Sequence, residues 1–275
     1  MNPRLRIVPD AAPAAALTVA VISGKGGVGK TNIAVNLAAC LRGRGLDTAL
    51  VDLDMGLANA DVLLGAAPEC DLRDVLARRR ALDEAIVLAA GGVRFATAAL
   101  GATGPAANAI ERARMIELLA RVPGEVLLLD CAAGIDVNVM AFAQQADVVL
   151  VVTTPEPTAI TDAYAAVKTL FCGGYDGSVR VLVNMVETRA EAREVCERLR
   201  KVCENFLDKA IADAGYVLHD THVELAVRQR RPFAIQYPRC SASICAAAVA
   251  ARLVGGRAAR RTAPNFLRRV AGMFA

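Results

Sequence analysis

Short runs of apolar residues alternate along the chain with longer segments in which apolar positions recur at helical spacing. The apolar runs predict strands at LTVAVI, DTALVDL, VRFAT, EVLLLD, DVVLVVT, VRVLVN and GYVLH. The segments between them predict helices over residues 31–43, 71–89, 108–121, 137–145, 158–171, 189–208, 221–230 and 240–254. Strands that are apolar throughout and separated by helices favour an α/β fold, a mainly parallel twisted sheet with helices on both faces.

The same pattern predicts one domain with shorter segments on either side. Residues 17–254 carry the alternation, and residues 1–16 are expected to form a mobile leader. Residues 255–264 (GGRAARRTAP) resemble a basic linker that leads to residues 265–275, a predicted C-terminal helix. With 55% hydrophobic residues the domain can bury a large core, yet no apolar run reaches the roughly 20 residues that a membrane-spanning helix needs.

Cysteines and charges restrict the possible chemistry and partners. The eight cysteines form no C-x-x-C pair, so we expect neither disulfides nor a zinc site, and free thiols suit a reducing cytoplasm. The net charge is only +4, but no acidic residue follows Glu224, whereas ten arginines lie between Arg228 and Arg269. This arrangement indicates an anionic partner for the C-terminal part of the chain.

A glycine-rich turn, SGKGGVGKTN, joins the first predicted strand to the first predicted helix. It satisfies the spacing G-x-x-x-x-G-K-[ST] of a P-loop, in which backbone N–H groups and a helix N-terminus hold phosphate oxygens. Lys30 would reach the β- and γ-phosphates of a nucleotide, and the Thr31 hydroxyl would bind Mg²⁺. One lysine suffices for this motif, so Lys25 is surplus. The predicted nucleotide-binding residues of the turn are Gly24, Lys25, Gly26, Gly27, Val28, Gly29, Lys30, Thr31 and Asn32.

Polar residues at the ends of two further strands predict the metal site. In a parallel sheet the ligand lies at the carboxyl ends of the strands. Asp130 ends EVLLLD, where an aspartate after a P-loop usually contacts Mg²⁺, often through water. Asp54 lies just beyond the second strand, where its carboxylate would bind Mg²⁺ or orient an attacking water. Asp52 still lies within that strand, so a structural role is the alternative for it.

Two more polar residues follow later strands. Asn184 ends VRVLVN and is predicted to hydrogen-bond a purine edge, with an ordinary turn asparagine as the alternative. Asp220 follows the last strand, where a contact to the nucleotide and a cap on the next helix are both open interpretations.

The C-terminal segment NFLRRVAGMFA predicts an amphipathic helix. With residues about 100° apart, its large apolar side chains share an arc of roughly 160°, and its arginines lie opposite. A basic face beside a Phe/Leu/Met face is typical of a helix in the membrane interface. A helix that docks on the domain, or a frayed chain end, is the alternative. The residues predicted to contact the membrane are Phe266, Leu267, Val270, Met273 and Phe274.

KGGVGKT with its early lysine resembles the deviant Walker A motif of the MinD/ParA ATPases. DLDMGLANADVLLG (52–65) is similar to that family's switch I. LLLDCAAGI (127–135) is similar to its switch II, with Cys131 in place of the more usual Thr or Ser. TTPEPTAITDAYA (153–165) and RRPFAIQYPRCSAS (230–243) resemble the flagellar-number branch, called FlhG, FleN or YlxH. The resemblance covers about residues 17–254.

The resemblance implies an ATP-dependent homodimer that slowly hydrolyses ATP with Mg²⁺. In this family the early lysine reaches across the dimer interface, so Lys25 would serve the neighbour's ATP and Lys30 its own, and the implied catalytic residues are Lys25, Lys30 and Asp54. The implied location is the cytoplasmic face of the cell membrane. A flagellar GTPase or a transcription regulator would be the partner. Flagellar members often carry an N-terminal activator segment of the D-Q-A type, which MNPRLRIVPD does not match.

The expected function is therefore a membrane-associated ATPase switch that sets flagellar number or placement. One alternative is a MinD-like division-site ATPase, and another is a ParA-like partition ATPase whose C-terminal arginines contact DNA phosphates. Arginine fits a membrane or DNA, whereas the Phe/Leu/Met face fits only the membrane. A ligase or kinase on the same fold would need a small-substrate pocket, which no residue demands, and the missing C-x-x-C disfavours an iron–sulfur carrier.

Overall fold

The computed structural model describes residues 17–54, 59–98 and 108–255 of the chain. The expected leader (1–16), the predicted C-terminal helix (265–275) and all of the linker after Gly255 lie outside these residues. Residues 55–58, in the segment similar to switch I, also lie outside them.

The strands form a single sheet in which the order along the chain and the order in space differ. The strands are β1 (Leu17–Ser23), β2 (Thr48–Asp52), β3 (Val87–Leu88), β4 (Arg94–Thr97), β5 (Val126–Ala133), β6 (Val148–Thr153), β7 (Ser178–Val186) and β8 (Ala212–Leu218). Their order in the sheet is β3-β4-β2-β5-β1-β6-β7-β8. All neighbours pair in parallel except β3, which is antiparallel to β4.

Helices cover both faces of the sheet, and the sheet separates the apolar core into two layers. The helices are α1 (Lys30–Gly43), α2 (Ala60–Leu64), α3 (Leu72–Leu76), α4 (Ala109–Leu119), α5 (Val137–Ala143), α6 (Pro157–Cys172), α7 (Arg189–Leu207), α8 (Thr221–Arg228), α9 (Phe233–Gln236) and α10 (Ser241–Val254). The predicted mainly parallel α/β fold is confirmed. Among the described residues no helix is both long and apolar enough to cross a membrane.

One predicted helix is wrong over most of its length. Residues 71–89 were expected to be a single helix, but α3 ends at Leu76 and Arg78 adopts a left-handed φ of 59°, which ends the helical path. Val87 and Leu88 instead pair with β4. The short helices α2 and α9 were not predicted, because elements of four or five residues are too short to show a periodic pattern.

Parallel pairing gathers the polar strand ends at one edge of the sheet. The glycine-rich turn follows β1, and Asp52 and Asp130 are partners in the register between β2 and β5. Since β1 lies between β5 and β6, the turn lies beside Asp130 on one side and beside the segment after β6 on the other. This edge is where the candidate site lies.

Candidate functional site

The P-loop forms an open cradle at the N-terminus of α1. Gly27 and Gly29 adopt φ values of 84° and 83°, which favour glycine, and Cβ atoms added at Gly26 and Gly27 would meet nothing within 4 Å. The first turn of α1 has no side-chain cap and no acidic residue, so its N–H groups remain available to an anion. The predicted phosphate cradle therefore has the open shape and the helix end that it needs.

Lys30 lies inside the site rather than at its surface. Its Nζ is 2.6 Å from Oδ1 of Asp130 and 3.3 Å from Oγ1 of Thr31. The Lys30 side chain is 8% exposed and that of Asp130 is fully buried. Burial raises the pKa of Asp130, and the Lys30 ammonium opposes that rise. Lys30 is thus the internal counter-ion of Asp130 in this structure, and binding of a phosphate would compete for its ammonium.

Asp52 is a second buried carboxylate beside Asp130. Its Oδ1 accepts the N–H of Asp54, and its Oδ2 accepts those of Asn59 and Ala60, all at 2.9 to 3.1 Å. Burial and the neighbouring Asp130 raise the pKa of Asp52 to about 7, despite the hydrogen bonds that it accepts. The carboxylate therefore fixes the backbone of Asp54 and the start of α2. Asp52 therefore has a structural role in this protein, which was the alternative interpretation of this residue.

The charges and ligand atoms of this edge suit a magnesium ion. Lys30 is the counter-ion that both buried carboxylates share, and Oδ2 of Asp130 is buried with no hydrogen-bond partner in the described structure. The nearby Thr31 side chain lowers the pKa of Asp130, and the charge of Asp54 raises it. A hydroxyl and two carboxylates are the hard oxygen ligands that Mg²⁺ prefers. The predicted set Thr31, Asp54 and Asp130 thus fits the metal.

Lys25, the surplus lysine, points away from this cluster. Its Nζ is 2.8 Å from Oε2 of Glu156 and 3.1 Å from Oγ1 of Thr158, at the start of α6. The Lys25 side chain is 39% exposed and that of Glu156 is 64% exposed. Two lysines of one loop therefore have separate partners, one buried and one at the surface.

Comparison with known proteins agrees with this geometry. Residues 19–233 match the family model described as the CobQ/CobB/MinD/ParA nucleotide binding domain. The chain is 40% identical over 238 residues to the antiactivator FleN of Pseudomonas aeruginosa, covering 86% of this chain and 85% of FleN. It is 34% identical over 192 residues to the flagellum site-determining protein YlxH of Helicobacter pylori, covering 68% of this chain and 64% of YlxH.

This chain belongs to the MinD/ParA family. Its similarity to FleN and YlxH supports the flagellar-number branch within that family. The fold also matches the septum site-determining protein MinD of Pyrococcus horikoshii, solved with Mg-ADP. The TM-score is 0.71 at 21% identity, and the match covers 90% of this chain and 99% of that protein.

Asn184 of this MinD/ParA protein supports the P-loop by a hydrogen bond to its backbone. Its Nδ2 donates to the carbonyl of Val28 at 2.9 Å, and a Cβ atom at Gly29 would fall 2.5 Å from that nitrogen. Asn184 lies inside β7, which continues to Val186, so it is not a turn residue. The predicted contact with a purine edge stays a prediction.

Asp220 caps a helix, as one of its two interpretations expected. It precedes α8, and its Oδ1 accepts the N–H of His222 at 3.0 Å and lies 2.8 Å from Nδ1 of the same histidine. Oδ2 accepts the N–H of Ala242 at the start of α10. Burial opposes ionisation, but these hydrogen bonds outweigh it and lower the pKa of Asp220 to about 2. A contact to the nucleotide stays a prediction for this residue.

An open cavity of about 410 Å³ lies beside Asp220. It lies beyond the end of β8, whose following residue His219 donates its N–H to Val186 of β7. Its lining residues are His219, Asp220, Thr221, His222, Arg239, Cys240 and Ser241. Most of them come from the N-terminal ends of α8 and α10, so the cavity adjoins the sheet edge that carries the site.

The partners of the surplus lysine, Lys25, were not predicted from the sequence. Glu156 and Thr158 were identified only as part of a stretch that resembles the flagellar branch, although they follow a strand whose end adjoins the P-loop. A Cβ atom at Gly24 would overlap the backbone carbonyl of Asp162 on α6, so the loop must contain glycine there. The sequence motif contains Glu156 and Thr158, but their contact with Lys25 could be predicted only from the fact that β1 and β6 are neighbours in the sheet.

Proposed function

We propose that this protein is an ATP-dependent dimerising switch that hydrolyses ATP slowly and regulates flagellar number or placement at the cytoplasmic membrane. FleN is named as an antiactivator and YlxH as a flagellum site-determining protein, and both relatives support the flagellar assignment. A protein partner, either a flagellar GTPase or a transcription regulator, would receive the signal.

The arrangement of the two P-loop lysines carries this proposal. Lys30 lies among the carboxylates that fit Mg²⁺, where its ammonium serves the nucleotide of its own subunit. Lys25 is held by an exposed salt bridge to Glu156, which contributes little, and by a hydrogen bond to Thr158, so it can leave these partners at small cost. A surplus cation that leaves its own subunit readily is what a cross-subunit contact requires.

Exposed apolar side chains at the same edge support a dimer. Five large ones lie at or after the carboxyl ends of the strands β2, β4, β5 and β7, and each is 43% exposed or more. They are Val62, Ile110, Ile135, Val137 and Met185. Apolar side chains gathered around a ligand site are typical of an interaction surface. A second copy that covers this edge would bury them together with the nucleotide and bring its Lys25 to the neighbouring site.

Each residue of the site then has one role in hydrolysis. Thr31 and Asp130 would hold Mg²⁺ directly or through water, and Lys30 would bind the phosphates. A bound Mg²⁺ supplies positive charge that offsets the charge developing on the transferred phosphoryl group. Asp54, whose backbone is fixed by Asp52, orients the attacking water, and the incoming Lys25 adds a cation that the monomer lacks.

Membrane association is the part of the proposal that rests on sequence alone. Residues 265–275 supply the predicted amphipathic helix, which is too short to bind strongly by itself. Two such helices on one dimer would bind much better through their effective concentration. Dimerisation by ATP would then control how long the protein remains on the membrane.

A mixing experiment tests the proposal. Lys25→Ala keeps Asp54 but cannot reach across, and Asp54→Ala keeps Lys25 but cannot orient water. Each variant alone should lack ATPase activity, and Asp54→Ala should form a persistent dimer with ATP in size-exclusion chromatography. In a mixed dimer one site combines an intact Asp54 with an intact incoming lysine. That site should restore part of the activity.

The control is a mixture of Lys30→Ala with Lys25→Ala, because Lys30→Ala should not bind ATP and should not join a dimer. Mixed dimers of the first pair that form without any recovered activity would show that Lys25 acts within its own subunit. Normal turnover by monomeric Asp54→Ala would remove the role of Asp54.

A further inference from the structure

The segment from Val227 to Ile235 forms a surface that ATP binding and hydrolysis do not use. It closes α8, carries three arginines in four residues and begins α9. We propose that this surface, hereafter the arginine surface (Val227, Arg228, Arg230, Arg231 and Ile235), docks an acidic, partly apolar segment of a protein partner. The inference rests on the proposed function only in taking the partner to be a protein.

The backbone under the arginine surface is firmly held. Phe233 is 2% exposed, and the N–H of Ala234 donates to Oδ1 of Asn36 on α1 at 2.8 Å. The hydroxyl of Ser243 on α10 lies within hydrogen-bond distance of the carbonyl oxygens of Phe233 and Tyr237. A preformed surface loses little conformational entropy when it binds, which favours its use for recognition.

The arginines of this surface have no carboxylate partners within the described part of the chain. Arg228, Arg230 and Arg231 are exposed, and no salt bridge joins them to Glu224 or to any other described acid. Several other arginines do pair with carboxylates, namely Arg42, Arg79, Arg80, Arg94 and Arg200. A cluster of unpaired guanidinium groups matches carboxylates, which it binds in bidentate geometry.

Arg230 also adopts a backbone conformation that its residue type disfavours. Its φ is 53°, in the left-handed region, where a residue other than glycine costs roughly 1 kcal/mol. Glycine would suit this turn better for stability. Strain of this kind is characteristic of functional sites. An arginine at this position, where glycine would be more stable, agrees with a role for its side chain in binding.

The apolar part of the surface favours a protein over a lipid bilayer. Val227 and Ile235 are 39% and 38% exposed, and the aromatic residue of α9, Phe233, is buried. A membrane-binding face needs large side chains that insert into the acyl region, such as Phe, Leu or Trp. Val227 and Ile235 beside arginines, with Leu225 (42% exposed) as the single exposed leucine of α8, suit a protein interface, which combines apolar contact with arginine pairs.

The segment that carries the arginine surface also lies against α1 and α2, the two helices that begin at the nucleotide site. Asn36, which binds Ala234, donates its Nδ2 to the carbonyl and Oδ1 of Asn32 in the first turn after the P-loop. A Cβ atom at Gly65, which ends α2, would lie 3.2 Å from the carbonyl of Arg230. A partner on this surface would therefore bind a segment that packs on the helices α1 and α2.

A binding measurement with three probes tests the proposal, using the full chain without nucleotide. The probes are a synthetic acidic amphipathic peptide, vesicles of phosphatidylglycerol, and a DNA duplex. The test variant combines Arg228→Ser, Arg230→Gly and Arg231→Ser, in which the glycine relieves the backbone and protects the fold. The matched control combines Arg189→Ser, Arg193→Ser and Arg198→Ser, which removes three exposed arginines from α7. Thermal unfolding confirms that both variants fold.

The acidic peptide should bind the test variant about tenfold or more weakly than the wild type, and the control variant with unchanged affinity. Ile235→Ser should weaken the amphipathic peptide but not a polyglutamate peptide, whereas Ile244→Ser on α10 should affect neither. Three outcomes would overturn the proposal: a wild type that does not bind the peptide, equal losses in both triple variants, or a test variant that keeps the peptide and loses only vesicles or DNA. None of these outcomes involves ATP, so the docking surface and the ATPase assignment can fail separately.

Discussion

Lys25 and Lys30 make salt bridges of nearly equal length in very different surroundings. The distances from Nζ to the carboxylate oxygen are 2.8 Å and 2.6 Å. The Lys30 pair is almost completely buried, whereas both partners of the Lys25 pair are more than a third exposed. Water and salt screen an exposed pair and barely reach a buried one. Burial, rather than distance, therefore makes one lysine a fixed part of the site and leaves the other exchangeable.

The largest expected effect follows from removing the buried lysine, Lys30. Lys30→Ala removes the only ammonium beside Asp52 and Asp130 in the described structure, and with it the phosphate partner of the motif. Affinity for ATP should fall by at least about a hundredfold, since a charge-assisted contact in a closed site is lost. Equilibrium binding of a fluorescent ATP analogue measures this fall. Wild-type affinity in a folded Lys30→Ala protein would contradict the assignment of the P-loop.

The exposed lysine should behave in the opposite way. Lys25→Ala should leave ATP binding by the monomer within about threefold of the wild type, because only a screened surface pair is lost. Dimerisation with ATP should fail in the same variant, as judged by light scattering. A Lys25→Ala protein that loses monomer binding as severely as Lys30→Ala would show that the two lysines serve one nucleotide. That result would remove the distinction between them.

Sequence patterns predicted the elements around the two lysines well. Continuous apolar strands, a glycine-rich turn and an aspartate at the end of a strand each depend on local chemistry, so the chain itself displays them. β1, the P-loop, α1 and the position of Asp130 at the carboxyl edge could all be predicted for this reason. The failure at residues 71–89 arose because the left-handed φ of Arg78 has no marker in a run of three arginines.

The pairing of the lysines could not be predicted from the sequence. Glu156 lies 131 positions from Lys25, and Asp130 lies 100 positions from Lys30. Which of the two acids faces which lysine depends on the strand order β5-β1-β6, a property of the folded sheet. The role of Asp52 was hidden for the same reason, because Asn59 and Ala60 at the start of α2 are brought to its carboxylate only in the folded protein.

The contribution of the buried carboxylate Asp52 to stability should depend on pH. The pKa of Asp52 is raised from 3.8 to about 7 by burial and by Asp130, so the protonated carboxyl favours the folded state. Its contribution is complete below the unfolded pKa and is lost as the pH rises through about 7. Asp52→Asn is permanently neutral, so its stability relative to the wild type should rise with pH by at most about 1.4 kcal/mol per unit.

Urea unfolding of both proteins at several pH values between 4 and 7 provides this comparison. Glu156→Gln, a neutral substitution on the exposed side, is the control and should give a difference that does not change over the same range. If the difference in unfolding free energy between Asp52→Asn and the wild type does not change with pH, Lys30 alone supplies enough positive charge to neutralise both buried carboxylates.

The smallest effect is expected from releasing the exposed lysine. Glu156→Gln removes a salt bridge whose carboxylate is 64% exposed, so the free energy of unfolding should change by less than about 0.5 kcal/mol. Lys25 would then be held only by Thr158, which should lower the ATP concentration needed for half-maximal dimerisation, by at most about fivefold. Light scattering during an ATP titration measures this shift, with Glu194→Gln on the exposed face of α7 as a matched control. A weaker dimer would instead mean that Glu156 itself contributes to the interface. The Lys25–Glu156 pair would then do more than hold Lys25 in the monomer.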